Sequence, residues 1–323
     1  MISFLKTHYL MHNLLLPFYS LLSKFAFALL FSIIHIKANA QPKADALIIK
    51  STLQTLAADS MMGRGPFTQG TRKAAAYIRS RMNKIGLQPF YPFFNDTVHQ
   101  EEVNLVGYLP GQSENAKTLV ISAHYDHIGI LPGGIDTIAN GANDNASGVA
   151  ALLAIAKHIS EREKPYHNII FVAFTLEEQG LYGSYHLANR WKKEEVELKA
   201  VLNFDMLGAK LTGYPGKVYA TGFLKSNLSS LINEGLQDSL IVHLPGNSLN
   251  LFQLSDNFPF YSVLKVPSHT FSTFNFQNYP YYHQVEDESK AIDWNNLDSV
   301  VNNLIRIIDW LDKSDSEIYL TGN

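Results

Sequence analysis

Residues 168–176, Asn-Ile-Ile-Phe-Val-Ala-Phe-Thr-Leu, form an almost unbroken apolar run. A run this short with no polar face reads as a β-strand buried on both sides. Strands of that kind belong to sheets covered by helices above and below, which selects a layered α/β architecture. The run ends in two carboxylates, Glu177 and Glu178, followed by the break Gln179-Gly180. Taken alone, an acidic pair after a strand is a solvated turn, because charged side chains are seldom buried without a partner. The company at the other strand ends decides between that reading and a functional one.

The alternation of strand, loop and helix continues along the chain. Further strands are expected at 104–108, 118–122, 200–204, 217–221 and 266–271, and helices at 44–58, 71–85, 146–159, 182–191, 226–237 and 294–311. Gly86 stands where a helix C-cap belongs, the glycines and proline of 61–66 mark a loop, and 88–108 suits short antiparallel edge strands. This pattern predicts one α/β domain, with a mostly parallel central sheet sandwiched by helices. No linker interrupts residues 44–313, so the domain is placed at 41–315 with a short tail at 316–323.

The first forty residues differ in kind. Lys6 and Lys24 lead into the apolar run Phe25 to Ile34, and Ala38-Asn39-Ala40 follows. A basic lead, a short apolar stretch and an A-x-A site predict a secretory signal, residues 1–40, cleaved before Gln41. Ten uninterrupted apolar residues are short for a membrane span, so none is expected after cleavage. Export to the periplasm, the cell surface or the medium is expected on that basis. The formal net charge of −3 over 323 residues gives no electrostatic case for nucleic acid. Cysteine is absent, which excludes disulfides, thiol nucleophiles and thiolate metal sites. Any metal must be held by His, Asp and Glu.

In open α/β sheets, sites form beyond the carboxyl ends of the strands. Three of the expected strands run into His124, Glu177-Glu178 and Asp205, and the loop Gly141-Ala-Asn-Asp-Asn-Ala-Ser-Gly148 sets Asp144 just before a helix. Asp144 alone would equally serve as an N-cap. Together these residues put one imidazole and four carboxylates on one rim. Oxygen and nitrogen donors without sulfur suit zinc above all. Two zinc ions about 3.5–4 Å apart need five or six protein ligands with one carboxylate shared. A second imidazole is then required, and His283 in Tyr281-Tyr282-His283-Gln284 stands out.

At this point a family pattern is visible. S-A-H-Y-D-H at 122–127, G-A-N-D-N-A-S-G at 141–148, L-E-E-Q-G-L-Y-G-S at 176–184, N-F-D-M-L-G at 203–208 and Y-H at 282–283 occur in that order. The chain thereby resembles the co-catalytic di-zinc aminopeptidases of peptidase family M28, the bacterial leucyl aminopeptidase type, and M-x-G-R-G at 61–65 resembles exported members. The resemblance implies the zinc-exopeptidase (aminopeptidase-like) fold, two zinc ions per chain and peptide substrates cut at the amino-terminal bond. It implies His124 and Asp205 on one zinc, Glu178 and His283 on the other, and Asp144 bridging them. It further implies Glu177 as general base, Tyr282 as an oxyanion-stabilising hydroxyl, Asp126 orienting His124, Asp287 beside His283, and a cis bond between Asp144 and Asn145. Two departures stand out: Asn257 replaces a His common in relatives, and His127 replaces a common Ser, lying near the metals without being expected to bind them. Glutaminyl cyclases share the fold with a single zinc and usually carry Trp where this chain has Tyr282. A silent binding domain on the same scaffold would lack ligands. The complete donor set favours the peptidase.

Overall fold

The computed structural model describes residues 43–244 and 251–322; the expected signal sequence lies outside them. The sheet is built from β1 (Gln88–Pro89), β2 (Asn95–His99), β3 (Glu102–Leu109), β4 (Thr118–His124), β5 (Asn168–Phe174), β6 (Leu198–Phe204), β7 (Val218–Ala220), β8 (Ile241–Val242) and β9 (Ser268–Ser272). Its spatial order is β1-β3-β5-β4-β6-β9-β7-β8, with β2 paired to β3. The four central strands β5, β4, β6 and β9 are parallel neighbours, while β3 and β7 join them antiparallel on either side. The mostly parallel centre and antiparallel margin at 88–109 agree with the sequence pattern.

Among the described residues six longer helices cover the sheet: α1 (Ala46–Leu56), α2 (Gln69–Ile85), α3 (Gly148–Ser160), α4 (Tyr182–Lys193), α5 (Leu228–Leu236) and α6 (Trp294–Lys313). Side chains of β5 alternate between two cores. Ile169, Phe171 and Ala173 pack with α1, α2, α3, α5 and α6, whereas Ile170, Val172 and Phe174 pack with Leu187, Ala188 and Trp191 of α4. This two-sided burial is what a continuous apolar run requires. In α3 the stretch Val149 to Ala156 is entirely buried, consistent with its Ala/Leu composition on every face.

Local signals set the helix ends. Asp45 accepts the amide protons of Leu47 and Ile48 at the start of α1. Gly86 takes φ 89° after α2, with its own N–H on Asn83 O and that of Leu87 on Met82 O. Strand β5 stops two residues earlier than its apolar run. Thr175 turns away because Asn104 Oδ1 accepts its N–H and Glu102 Oε2 accepts its hydroxyl, and Leu176 adopts φ 56°.

The loop 61–66 carries the most heavily bonded buried cation in the site region. Gly63 sits at φ 61°, where a Cβ would lie 2.5 Å from the carbonyl oxygens of Ala139 and Gly129. Arg64 points inward and is fully buried. Its guanidinium donates to the carbonyls of Leu56, Tyr125, Asn140, Gly141 and Asp144 at 2.6–3.1 Å. Burial lowers its pKa to about 10, opposed by Asp144, Asp287, Asp126 and Glu178, so it stays charged at neutral pH. Arg64→Leu should therefore cost about 3–5 kcal/mol, through five orphaned carbonyls and a lost countercharge. Urea unfolding checks this; an unchanged midpoint at unchanged slope would show that the contacts are dispensable.

Candidate metal centre

The site forms where the central strands end. His124 is the last residue of β4, level with Phe174 on β5, and Asp205 follows the last residue of β6. Parallel pairing in this register brings both side chains to the same edge as Glu177 and Glu178. Asp144 enters from the loop between β4 and α3. It does not cap α3, whose first turn is preceded by Ser147. The loop is held by Asp287, which accepts the amides of Asn143 at 2.7 Å and Asp144 at 3.0 Å and the hydroxyl of Tyr279 at 2.6 Å. Asp287 thus supports the Asp144 loop, where the resemblance implied a place beside His283: its hydrogen bonds go to Asn143, Asp144 and Tyr279. Asn145 fastens the other side, donating to Phe204 O and accepting from Met206 N–H and Gly148 N–H. The Asp144–Asn145 bond is cis, as the resemblance implied.

Two groups of donor atoms result, with Asp144 common to both. In the first, His124 Nε2 lies 3.4 Å from Asp144 Oδ1 and 3.5 Å from Asp205 Oδ1. In the second, His283 Nε2 lies 3.3 Å from Asp144 Oδ2 and 3.1 Å from Glu178 Oε2, and His127, its Nδ1 2.9 Å from Glu178 Oε1, belongs to the same group. A tetrahedral zinc with donors at about 2.0–2.1 Å has donor–donor edges of roughly 3.3–3.4 Å, and the imidazole–carboxylate edges of both groups lie close to that length. His283 Nε2 is buried and lacks an aligned hydrogen-bond partner despite those neighbours. An imidazole nitrogen aimed between carboxylates instead of at one of them is placed as a ligand is. The residues fit the metal.

The electrostatics agree. Burial lowers the pKa of His124, but Glu177, Asp205 and Asp144 more than offset it, and the net shift is well upward. For His283 burial is likewise outweighed, by Asp144 and Glu178, giving about 10. Burial raises the Glu178 carboxyl, yet the His127 hydrogen bond and the adjacent His283 imidazole bring it below the ordinary range. In the metal-free protein both rings are therefore protonated at neutral pH. Zinc needs them neutral, so uptake at pH 7 should release roughly two protons per chain. Calorimetric titration in buffers of different ionisation enthalpy measures this number; no proton release would mean that these imidazoles are not the ligands.

Asp126 faces this centre differently from the simple orienting role. The nearest Asp126 atom to His124 Nδ1 is the backbone carbonyl at 3.2 Å, with a carboxylate oxygen at 3.9 Å. The carboxylate itself accepts the amide protons of Glu177 at 3.1 Å and Glu178 at 3.2 Å, and burial pushes its pKa up to about 7. Glu177 belongs to neither donor group. Burial holds its carboxyl well above the usual carboxylate range, with the His124 charge opposing. Tyr282 stacks on His283, ring centroids 3.9 Å apart. Burial first, then the surrounding carboxylates, keep its hydroxyl protonated far above neutral pH.

His127 lies near the centre, as the sequence implies, its Nδ1 2.9 Å from Glu178 Oε1 and 3.7 Å from Asp144 Oδ2; Ser255, by contrast, carries no sequence signal. Ser255 donates its hydroxyl to Asp205 Oδ2 at 2.7 Å. Asn257, at the position of the absent His, is buried and bonded to Thr270 Oγ1 and Phe252 O. A pocket of about 550 Å³ opens over the centre, with an apolar wall including Met206, Phe258, Phe274 and Phe276.

The description "Peptidase family M28" matches residues 104–308, the span holding every donor described above. The chain belongs to peptidase family M28. A probable zinc metalloprotease of Pyricularia oryzae is 38% identical over 114 residues, 35% of this chain and 22% of that protein. The chain spans about a quarter of the length of such fungal relatives, 22–26%. Among solved structures, the Legionella pneumophila LapA aminopeptidase is similar with TM-score 0.68 and 20% identity, covering 84% of this chain and 73% of that one. The Porphyromonas gingivalis glutaminyl cyclase is similar with TM-score 0.66 and 19% identity, covering 83% and 99%. At such identities the likeness is one of fold: this family member has the zinc-exopeptidase fold.

Proposed function

We propose that this M28 member is an exported zinc aminopeptidase that hydrolyses the amino-terminal bond of peptides, using two zinc ions. The observation that carries the reading is the pair of donor groups sharing Asp144, with the Glu177 carboxyl beside them and in neither. His124, Asp144 and Asp205 would hold one ion, and Asp144, Glu178 and His283 the other. Bound there, zinc supplies Lewis-acid polarisation of water and of the substrate carbonyl.

The chain supplies the proton chemistry. Glu177, with an elevated pKa, takes a proton from the attacking water and returns it to the departing amine. Asp126 sets the direction of that carboxylate by gripping the Glu177 and Glu178 amides. Tyr282, kept protonated by burial, offers its O–H to the oxygen of the carbonyl under attack. The apolar wall of the pocket suits a hydrophobic first residue.

Glu177→Gln should retain zinc while losing about 10²–10⁴ in kcat. A glutamine-initiated peptide is the informative substrate, since the wild-type protein should release free glutamine. Ammonia with a cyclised peptide would instead establish a glutaminyl cyclase, and near wild-type turnover in the variant would remove Glu177 from the mechanism. Export is read from residues 1–40 and predicts a mature chain beginning at Gln41, which amino-terminal sequencing of the secreted fraction checks. Among the described residues no helix is long and apolar enough to cross a membrane.

A further inference from the structure

Each terminal carboxylate of the centre has one oxygen turned to its donor group and one turned away. Asp205 presents Oδ1 to His124, while Oδ2 accepts the Ser255 hydroxyl at 2.7 Å. The direction of that bond is fixed, because Ser255 Oγ itself accepts from Asn203 Nδ2 at 2.9 Å and must send its own proton to Asp205. Glu178 repeats the arrangement. Its Oε2 faces His283 at 3.1 Å, and its Oε1 meets His127 Nδ1 at 2.9 Å.

The two imidazoles around Glu178 differ in aim. His127 Nδ1 satisfies both distance and direction for a hydrogen bond to Oε1. His283 Nε2, at 3.1 and 3.3 Å from its carboxylates, is aligned with neither. One nitrogen points at an oxygen and the other at the space between oxygens. The first is the geometry of a donor, the second that of a ligand. His127 is fully buried, and its Nε2 has no hydrogen-bond partner among the described residues.

We infer that His127 is a positioning residue of the second zinc site: it holds the Nδ1–H tautomer, donates to Glu178 Oε1, and so confines Glu178 to binding through Oε2. The inference rests on the two-ion reading above. Without the bond, Glu178 is free to turn both oxygens to the ion and occupy an extra coordination position. His127 lies within the same group of candidate ligands as Glu178 and His283; with its nitrogen committed to Glu178, each site would have three protein donors, one imidazole nitrogen and two carboxylate oxygens, and a position open for water or substrate. Ser255 does for Asp205 what His127 does for Glu178, so the two sites are matched.

The substitutions His127→Ala and His127→Asn separate the roles. The Asn amide nitrogen falls near the place of Nδ1 and donates a hydrogen bond, but an amide is a poor zinc ligand. Zinc titration of metal-stripped protein against a competing chelator should show one of two equivalents weakened about 10–100-fold by His127→Ala, and that loss largely restored by His127→Asn. Equal weakening in both variants would make His127 a direct ligand, and an unaffected Ala variant would leave it without a role; either overturns the inference. Uptake of only one zinc by the wild-type protein would overturn the two-ion reading itself. Proton-detected ¹⁵N NMR of the metal-free wild-type protein gives a readout independent of zinc and of variant folding. It should place a proton on His127 Nδ1, and a ring protonated at Nε2 but not at Nδ1 overturns the inference whatever the zinc count.

Discussion

The arrangement depends on gathering like charges at one point. Asp126, Asp144, Glu177, Glu178 and Asp205 converge at the strand ends, the first two of them buried. Two carboxylates 4 Å apart repel by about 4 kcal/mol at an effective dielectric near 20, so the cluster persists only if nearly every oxygen is answered. The answers are specific. Asp126 takes two backbone amides, Glu178 takes His127 and faces His283, and Asp205 takes Ser255. Asp144 stands between the imidazoles of His124 and His283. Arg64 adds a fixed positive charge behind Asp144, held by carbonyls instead of carboxylates, so it compensates the field without occupying an oxygen the metal would use.

That cluster is only as accurate as the frame beneath it. β4 and β6 are paired directly, so His124 and Asp205 inherit their separation from strand spacing and register. Both strands are buried on each face, with α3 against one side and the α4 layer against the other. A close-packed interior of this kind leaves little room for the strand ends to drift. The Asp144 loop has no such frame of its own. Its position is imposed by polar contacts with the rest of the fold: Asp287 binds its amides, Arg64 binds its carbonyls, and Asn145 within it reaches Phe204 O. Packing therefore sets half of the centre and a polar network sets the other half.

This division explains what could be read from residues alone. The strand carrying His124, the strand before Glu177 and the strand before Asp205 are written in local apolar runs, and a parallel sheet then forces their ends together. Arg64, Asp287 and Ser255 carry no such local signal. Arg64 reaches Asp144 O across 80 residues, and Asp287 reaches Asn143 N across 144. Their partners are mostly backbone atoms, which every residue possesses, so nothing in the partner's identity marks the pair. His283 is an intermediate case: its residue type announces a possible ligand, while its left-handed φ of 56° and its place beside Asp144 come only from the folded chain. Asp126 joins Arg64, Asp287 and Ser255 in part: its carboxylate lies 3.9 Å from His124 Nδ1, and it also binds main-chain amides that no motif spells out.

The pair Glu177-Glu178 shows how adjacent residues acquire different chemistry. In a continued strand their side chains would alternate across the sheet, one to each core. The strand instead ends at Phe174, and the left-handed turn at Leu176 redirects the chain beyond it. Asp126 then fixes both amides with its two oxygens, so neither backbone unit can rotate independently of the other. From that common anchor Glu178 enters the donor group of His283 and is kept ionised by the imidazoles it meets. Glu177 faces no imidazole at bonding distance among the described residues, and desolvation dominates, which favours its protonated form. Opposite shifts in neighbouring carboxyls are the condition for one to serve as a permanent anion and the other to exchange a proton. Here that condition arises from where a strand stops and from which oxygens are already engaged.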